Sequence, residues 1–185
     1  MKRLRCVKRR VLHRGRIFTL VQEVLDVDGH RAVRETLVHP GAVVILPLLP
    51  DGRVVCVRQY RRAVGRELLE LPAGTLEPGE SPRACAAREL EEETGWRARR
   101  IRQVACFYPA PGSTSERLLL FLAQGLVPGR MKLDSDEMVR PVLVPLRMAQ
   151  AMARRGRIRD GKTIIGLLLA PSLLRRRARR PRRAA

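Results

Sequence analysis

Apolar and polar positions alternate through residues 16–38, where RIFTLVQEVLDV and HRAVRETLV flank Asp28-Gly29. The alternation predicts two strands joined by a tight hairpin turn. Pro40 and Gly41 punctuate the chain after it. The next segment, AVVILPLL, is apolar at successive positions. Both of its faces must therefore be covered, and it reads as a central strand. Asp51-Gly52 turns the chain into RVVCVRQYR, a second hairpin. At Ser81-Pro82 a serine N-cap precedes proline at the first helical position, and Gly95 supplies the stop, so a helix is expected over 82–94. Further strands are expected at 101–108, 117–124 and 139–144, followed by helices in LRMAQAMARRG and KTIIGLLLA. Consecutive hairpins with helices interspersed predict an α/β fold with a mixed sheet packed by helices. At 185 residues, with no internal repeat and no linker, one domain with a real core is expected.

Composition adds a strong positive charge. Lys and Arg number 38 against 18 Asp and Glu, a formal net charge of +20. Residues 1–10 hold six basic residues and residues 175–183 seven arginines, with no acid in either, which leaves +7 for the body. The aromatic content is only 3%, so the basic tracts lack the interleaved stacking platforms used on single-stranded nucleic acid. Residues 1–15 and 175–185 are therefore read as solvated basic ends, the second as a disordered tail, around a domain at 16–174. No apolar run approaches the roughly 18–20 residues of a membrane span, and the basic N-terminus is followed by no apolar stretch or cleavage site, so the expected location is the cytoplasm. Cys6, Cys56, Cys85 and Cys106 have no metal or disulfide spacing and read as reduced, mostly buried thiols. His13, His30 and His39 are scattered and make no metal spacing either.

The chemistry concentrates in GTLEPGESPRACAARELEEETGW, residues 74–96. At about 100° per residue, Glu89, Glu92 and Glu93 fall within an arc of about 100° on one helix face, while Glu91 points the other way. Two carboxylates about 5 Å apart repel by roughly 3 kcal/mol at an effective dielectric of 20, so the cluster calls for a counter-charge. Oxygen-only ligands favour Mg2+, with Mn2+ as the alternative. Arg88 stands one turn before Glu92 and is placed to pair with it. Ala86, Ala87 and Leu90 form an apolar stripe expected to pack on the sheet, and Gly74 and Gly79 are expected to serve tight turns in the loop before the helix. Upstream, Arg58 and Arg61 can pair with oxyanions in a fork.

The segment fits G-x5-E-x7-R-E-U-x-E-E-x-G-U, with U bulky and apolar, at Gly74, Glu80, Arg88, Glu89, Leu90, Glu92, Glu93, Gly95 and Trp96. This resembles the Nudix box, the signature of hydrolases acting on nucleoside diphosphates linked to another group. Arg58, Gln59 and Arg61, then Glu70, Pro72, Ala73 and Gly74, resemble the ADP-ribose pyrophosphatase branch, as do Pro111 after the box and the segment DGKTIIGLLLA.

That resemblance implies an α/β/α sandwich with a mixed sheet, preceded by the N-terminal antiparallel hairpin 16–38. It implies Mg2+-dependent hydrolysis of a nucleotide-sugar pyrophosphate, ADP-ribose giving AMP and ribose 5-phosphate. Glu89 and Glu93 would be the main metal ligands, with Glu92 assisting and the backbone carbonyl of Ala73 contributing. Glu137, in MKLDSDEMV, best matches the family's general base, with Asp134, Asp136 and Glu116 as rivals. Arg58, Arg61, Glu35 and Glu116 are the substrate-binding candidates. The resemblance also implies a homodimer whose N-terminal strands reach the partner. Another nucleotide sugar, a dinucleotide or an oxidised nucleotide are rival substrates, and a basic nucleic-acid-binding module is the reading from a different class.

Overall fold

The computed structural model describes residues 3–133 and 138–178. Ten strands and three α-helices follow in chain order among them. The first three strands, β1 (Leu4–Arg14), β2 (Thr19–Val27) and β3 (His30–Val38), form an antiparallel sheet of their own. The hairpin turn lies at Asp28 and Gly29, both with positive φ. Residues 4–14, expected as part of a solvated basic end, instead add an edge strand to the hairpin while staying exposed along their whole length.

The main sheet contains β4 (Ala42–Leu48), β5 (Arg53–Arg61), β6 (Arg66–Glu70), β7 (Ala73–Thr75), β8 (Trp96–Phe107), β9 (Leu118–Pro128) and β10 (Val139–Pro145). Its order is β10-β5-β4-β9-β8, with β6 on β5 and β7 on β4. β4 and β9 run parallel and the other pairs antiparallel, which makes the sheet mixed. The short strands β6 and β7 were not legible as strands, because each is too brief to show a period. Leu37 exchanges backbone hydrogen bonds with Ser113 and Ser115, at 2.9 Å each, and so ties the N-terminal sheet to the loop before β9.

Alternate residues of the central strands serve two different cores. Val43 and Ile45 of β4, with Leu119, Phe121 and Ala123 of β9, pack with Cys85, Ala86 and Leu90 of helix α1 (Pro82–Thr94). Val44 and Leu46, with Leu118, Leu120 and Leu122, face the other way. They meet Ala149 and Ala153 of α2 (Leu146–Arg154) and Leu167 and Ala170 of α3 (Gly161–Ala178). Helices on both faces explain why the central strands are apolar at every position. The α/β/α sandwich expected from the sequence is the observed architecture.

Three expectations are corrected. Ala87 is exposed, and Cys85 takes its place in the buried stripe of α1. The cysteines divide evenly, Cys56 and Cys85 buried in the core, Cys6 and Cys106 exposed on outer strands of the two sheets. Helix α3 also runs to Ala178, past the expected domain end at 174, while residues 179–185 lie outside the described residues. Among the described residues no helix is long and apolar enough to cross a membrane.

Candidate active site

Helix α1 begins as its sequence dictates. Ser81 caps it by accepting a hydrogen bond from the Ala84 amide at 3.2 Å, and Gly95 ends it in the left-handed region with its N–H on the Glu91 carbonyl at 2.8 Å. With Cys85, Ala86 and Leu90 held in the core, Glu89, Glu92 and Glu93 are delivered to a cleft of about 850 Å³. The backbone of Ala73 and Gly74 forms another wall, and Gln59, Arg61 and Lys132 line the same cleft. Glu91 does point elsewhere, accepting the Arg130 amide at 3.1 Å.

Arg88 organises the acidic side. Its Nε and Nη2 donate in a fork to Glu80, both at 2.9 Å, and its Nη1 reaches Glu89 at 2.8 Å and Glu92 at 3.0 Å. The pairing with Glu92 is the one its spacing predicts, whereas Glu80 as the principal partner emerges only from the folded loop. Hydrogen bonds from Arg88 hold the Glu80 carboxyl below the ordinary carboxylate range, and the same bonds raise the Arg88 guanidinium above its ordinary value.

Gly74 has a different role from the one expected. Its φ is not positive, and a Cβ built on it would lie 1.8 Å from the Glu89 carboxyl. The glycine therefore lets a carboxylate rest against the backbone, while Gly79, at φ +79°, is the residue that makes the turn. On the same wall Glu93, a buried carboxylate, accepts the Ala73 amide at 3.1 Å.

The donor chemistry fits a hard divalent cation, since the carboxylates of Glu89, Glu92 and Glu93 line one cleft and backbone space is kept open for Glu89. Among the described residues, no three Asp, Glu, His or Cys side chains form a ready-made cage, and Glu89 and Glu92 turn instead to Arg88. Sites for Mg2+ rarely need such a cage, because the ion keeps waters and takes substrate phosphates as ligands.

On the basic side, Arg61 donates from Nε and Nη2 to the two oxygens of Glu70, at 2.8 and 2.6 Å. Burial alone would push the Glu70 carboxyl up, but hydrogen bonds and charge from Arg61 and Lys162 outweigh it and hold the group below its ordinary value. Gln59 Oε1 is buried at the cleft without a hydrogen-bond partner among the described residues.

The other candidates are placed elsewhere. Arg58 pairs with Glu67 at 3.0 Å and does not line the cleft. Glu35 accepts from Gln22 at 3.0 Å within the N-terminal sheet, and Glu116 sits in the loop before β9; neither lines the cleft. Glu137, Asp134 and Asp136 lie outside the described residues. Sequence reasoning missed Lys132 and the pair Arg16 and Ile17, which reach the cleft from the β1–β2 connection. No local signal marks them, because all three depend on how loops meet the α1 face.

Comparison with known proteins follows the same lines. Residues 38–165 match the NUDIX domain family. The chain is 37% identical over 152 residues to an ADP-ribose pyrophosphatase of Bacillus subtilis (strain 168), covering 80% of this chain and 82% of that one. It is 36% identical over 164 residues to a protein of Bacillus methanolicus named methanol dehydrogenase activator, covering 87% and 89%. A crystal structure of an ADP compounds hydrolase superposes with a TM-score of 0.84 at 26% identity, covering 96% of this chain and 97% of that chain.

Proposed function

The chain belongs to the Nudix hydrolase family, and from that premise we propose that it hydrolyses the pyrophosphate of ADP-ribose to AMP and ribose 5-phosphate with Mg2+. The observation that carries the reading is one cleft with two chemical sides, a glutamate cluster on α1 and the cations Arg61 and Lys132. Such a cleft suits a ligand that is anionic at its phosphates and that brings or requires a divalent ion.

Glu89 and Glu93 are the proposed principal metal ligands, with Glu92 and the Ala73 carbonyl assisting; Mn2+ fits the same oxygens. When bound, the ion supplies neutralisation of phosphate charge and acidification of water. Arg88 keeps the carboxylates from splaying apart by bonding Glu80, Glu89 and Glu92 at once. Arg61 and Lys132 bind and orient the diphosphate, and the open acceptor of Gln59 is available to a ligand hydroxyl or amine. We assign the general base to Glu137, with Asp134, Asp136 and Glu116 as the rivals to be separated by substitution.

The proposed assembly is a homodimer built through the N-terminal sheet. That sheet exposes Leu4, Val11 and Val33, and buries only Val21 among its strands. The proposed location is the cytoplasm, where four free thiols stay reduced.

Turnover of a substrate panel with Mg2+, comprising ADP-ribose, other nucleotide sugars, dinucleotides and an oxidised nucleotide, tests the assignment. ADP-ribose should be hydrolysed fastest, and Glu93→Gln should lower its turnover by orders of magnitude while circular dichroism stays native. Full activity in Glu93→Gln would refute the ligand assignment, and preference for another nucleotide would refute the substrate.

A further inference from the structure

Arg61 does not present its charge to the cleft unassisted. Its fork partner Glu70 is 1% exposed and also accepts a hydrogen bond from Lys162 Nζ, near the start of α3. Lys162 donates in addition to Asp160 Oδ1 at 3.0 Å, and Asp160 Oδ2 accepts the Thr163 amide at 3.0 Å. Thr163 Oγ1 accepts the Leu71 amide at 2.7 Å, which ties the start of α3 to the segment that carries Glu70. Arg61, Lys162, Glu70 and Asp160 together balance to zero charge. Removing the lysine leaves a net negative group beside a cleft already lined by glutamates, and leaves Glu70 to neutralise Arg61 alone.

We propose that Lys162 is a positioning residue for the cleft: by sharing the buried Glu70 carboxylate it keeps the Arg61 guanidinium, whose Nη1 Glu70 does not use, available to a diphosphate. Lys162 itself does not line the cleft; its link to Arg61 is the Glu70 carboxylate that the two share. This rests on the reading that the cleft takes a nucleoside diphosphate.

Steady-state hydrolysis of ADP-ribose with Mg2+ by the wild type, Lys162→Met, Lys162→Gln and Lys162→Arg provides the test. With the loss of one buried cation, KM should rise about tenfold in the Met and Gln variants with kcat within about threefold, and Lys162→Arg should return KM to within about twofold. Lys162→Gln keeps a hydrogen-bond donor to Glu70 without the charge, and it serves if Lys162→Met does not fold. An unchanged KM in Lys162→Gln, or a loss confined to kcat, overturns the proposal. Calorimetric titration of inorganic pyrophosphate in the presence of Mg2+ separates this inference from the functional reading. If the wild type hydrolyses no nucleotide sugar yet binds pyrophosphate about tenfold more tightly than Lys162→Gln, the activity falls and the positioning role stands. If hydrolysis is seen but neither KM nor pyrophosphate affinity moves, the positioning role falls and the activity stands.

Discussion

At Gly74 the constraint is space rather than conformation, because any Cβ would occupy the place of the Glu89 carboxyl. Gly74→Ala should therefore push Glu89 off its seat while leaving the core packing intact. A misplacement of about 1 Å at a reacting site costs on the order of a hundredfold, so kcat on ADP-ribose should fall by about that factor with the melting temperature nearly unchanged. Wild-type kcat in the alanine variant would show that the close approach is incidental. Arg88 illustrates the same scale from the opposite direction. Its i, i+4 pairing with Glu92 can be read from spacing, but its fork to Glu80 exists only because the loop over 75–80 folds back on the helix. Local spacing reveals partners on one helix and says nothing about partners delivered by a loop.

Helix α1 is the element that turns a sequence motif into a site. The cap at Ser81 and the stop at Gly95 fix where the helix starts and ends, and burial of Cys85, Ala86 and Leu90 fixes its rotation. These two constraints aim Glu89, Glu92 and Glu93 into the cleft. Ser81→Ala removes the acceptor for the Ala84 amide and should lower stability by about 1 kcal/mol in urea unfolding, with KM little changed. A stability equal to wild type would mean that the loop, not the cap, sets the start of the helix. Caps, turn glycines and continuous apolar runs were legible because they answer to backbone hydrogen bonding and to burial within a few residues. The strands β6 and β7 were not, since they exist only as partners of β5 and β4.

For the whole molecule, the charge has a different meaning from the one its size suggests. Much of the +20 sits at the chain ends, one of which becomes a fully exposed edge strand, while the cleft sets glutamates against Arg16, Arg61, Arg88 and Lys132. The N-terminal sheet exposes apolar residues on strands too thin to form a core of their own. Light scattering at micromolar concentration should give a mass twice that of the chain. A monomeric mass would remove the proposed dimer and leave Arg16 and Ile17 as the contribution of this sheet to the cleft.

By itself the sequence determined the α/β class, the position and polarity of helix α1, and the identity of the carboxylates on its face. Each of these follows from interactions within a few residues or from the need to cover an apolar strand. Only the tertiary structure decided which cations oppose those carboxylates. It left Arg58 outside on Glu67, brought Lys132 in from the loop after β9, and joined Arg61 to Lys162 through a buried Glu70. The reason is physical: a charge buried between elements distant in sequence must find its partner across the fold, and no spacing along the chain records that meeting.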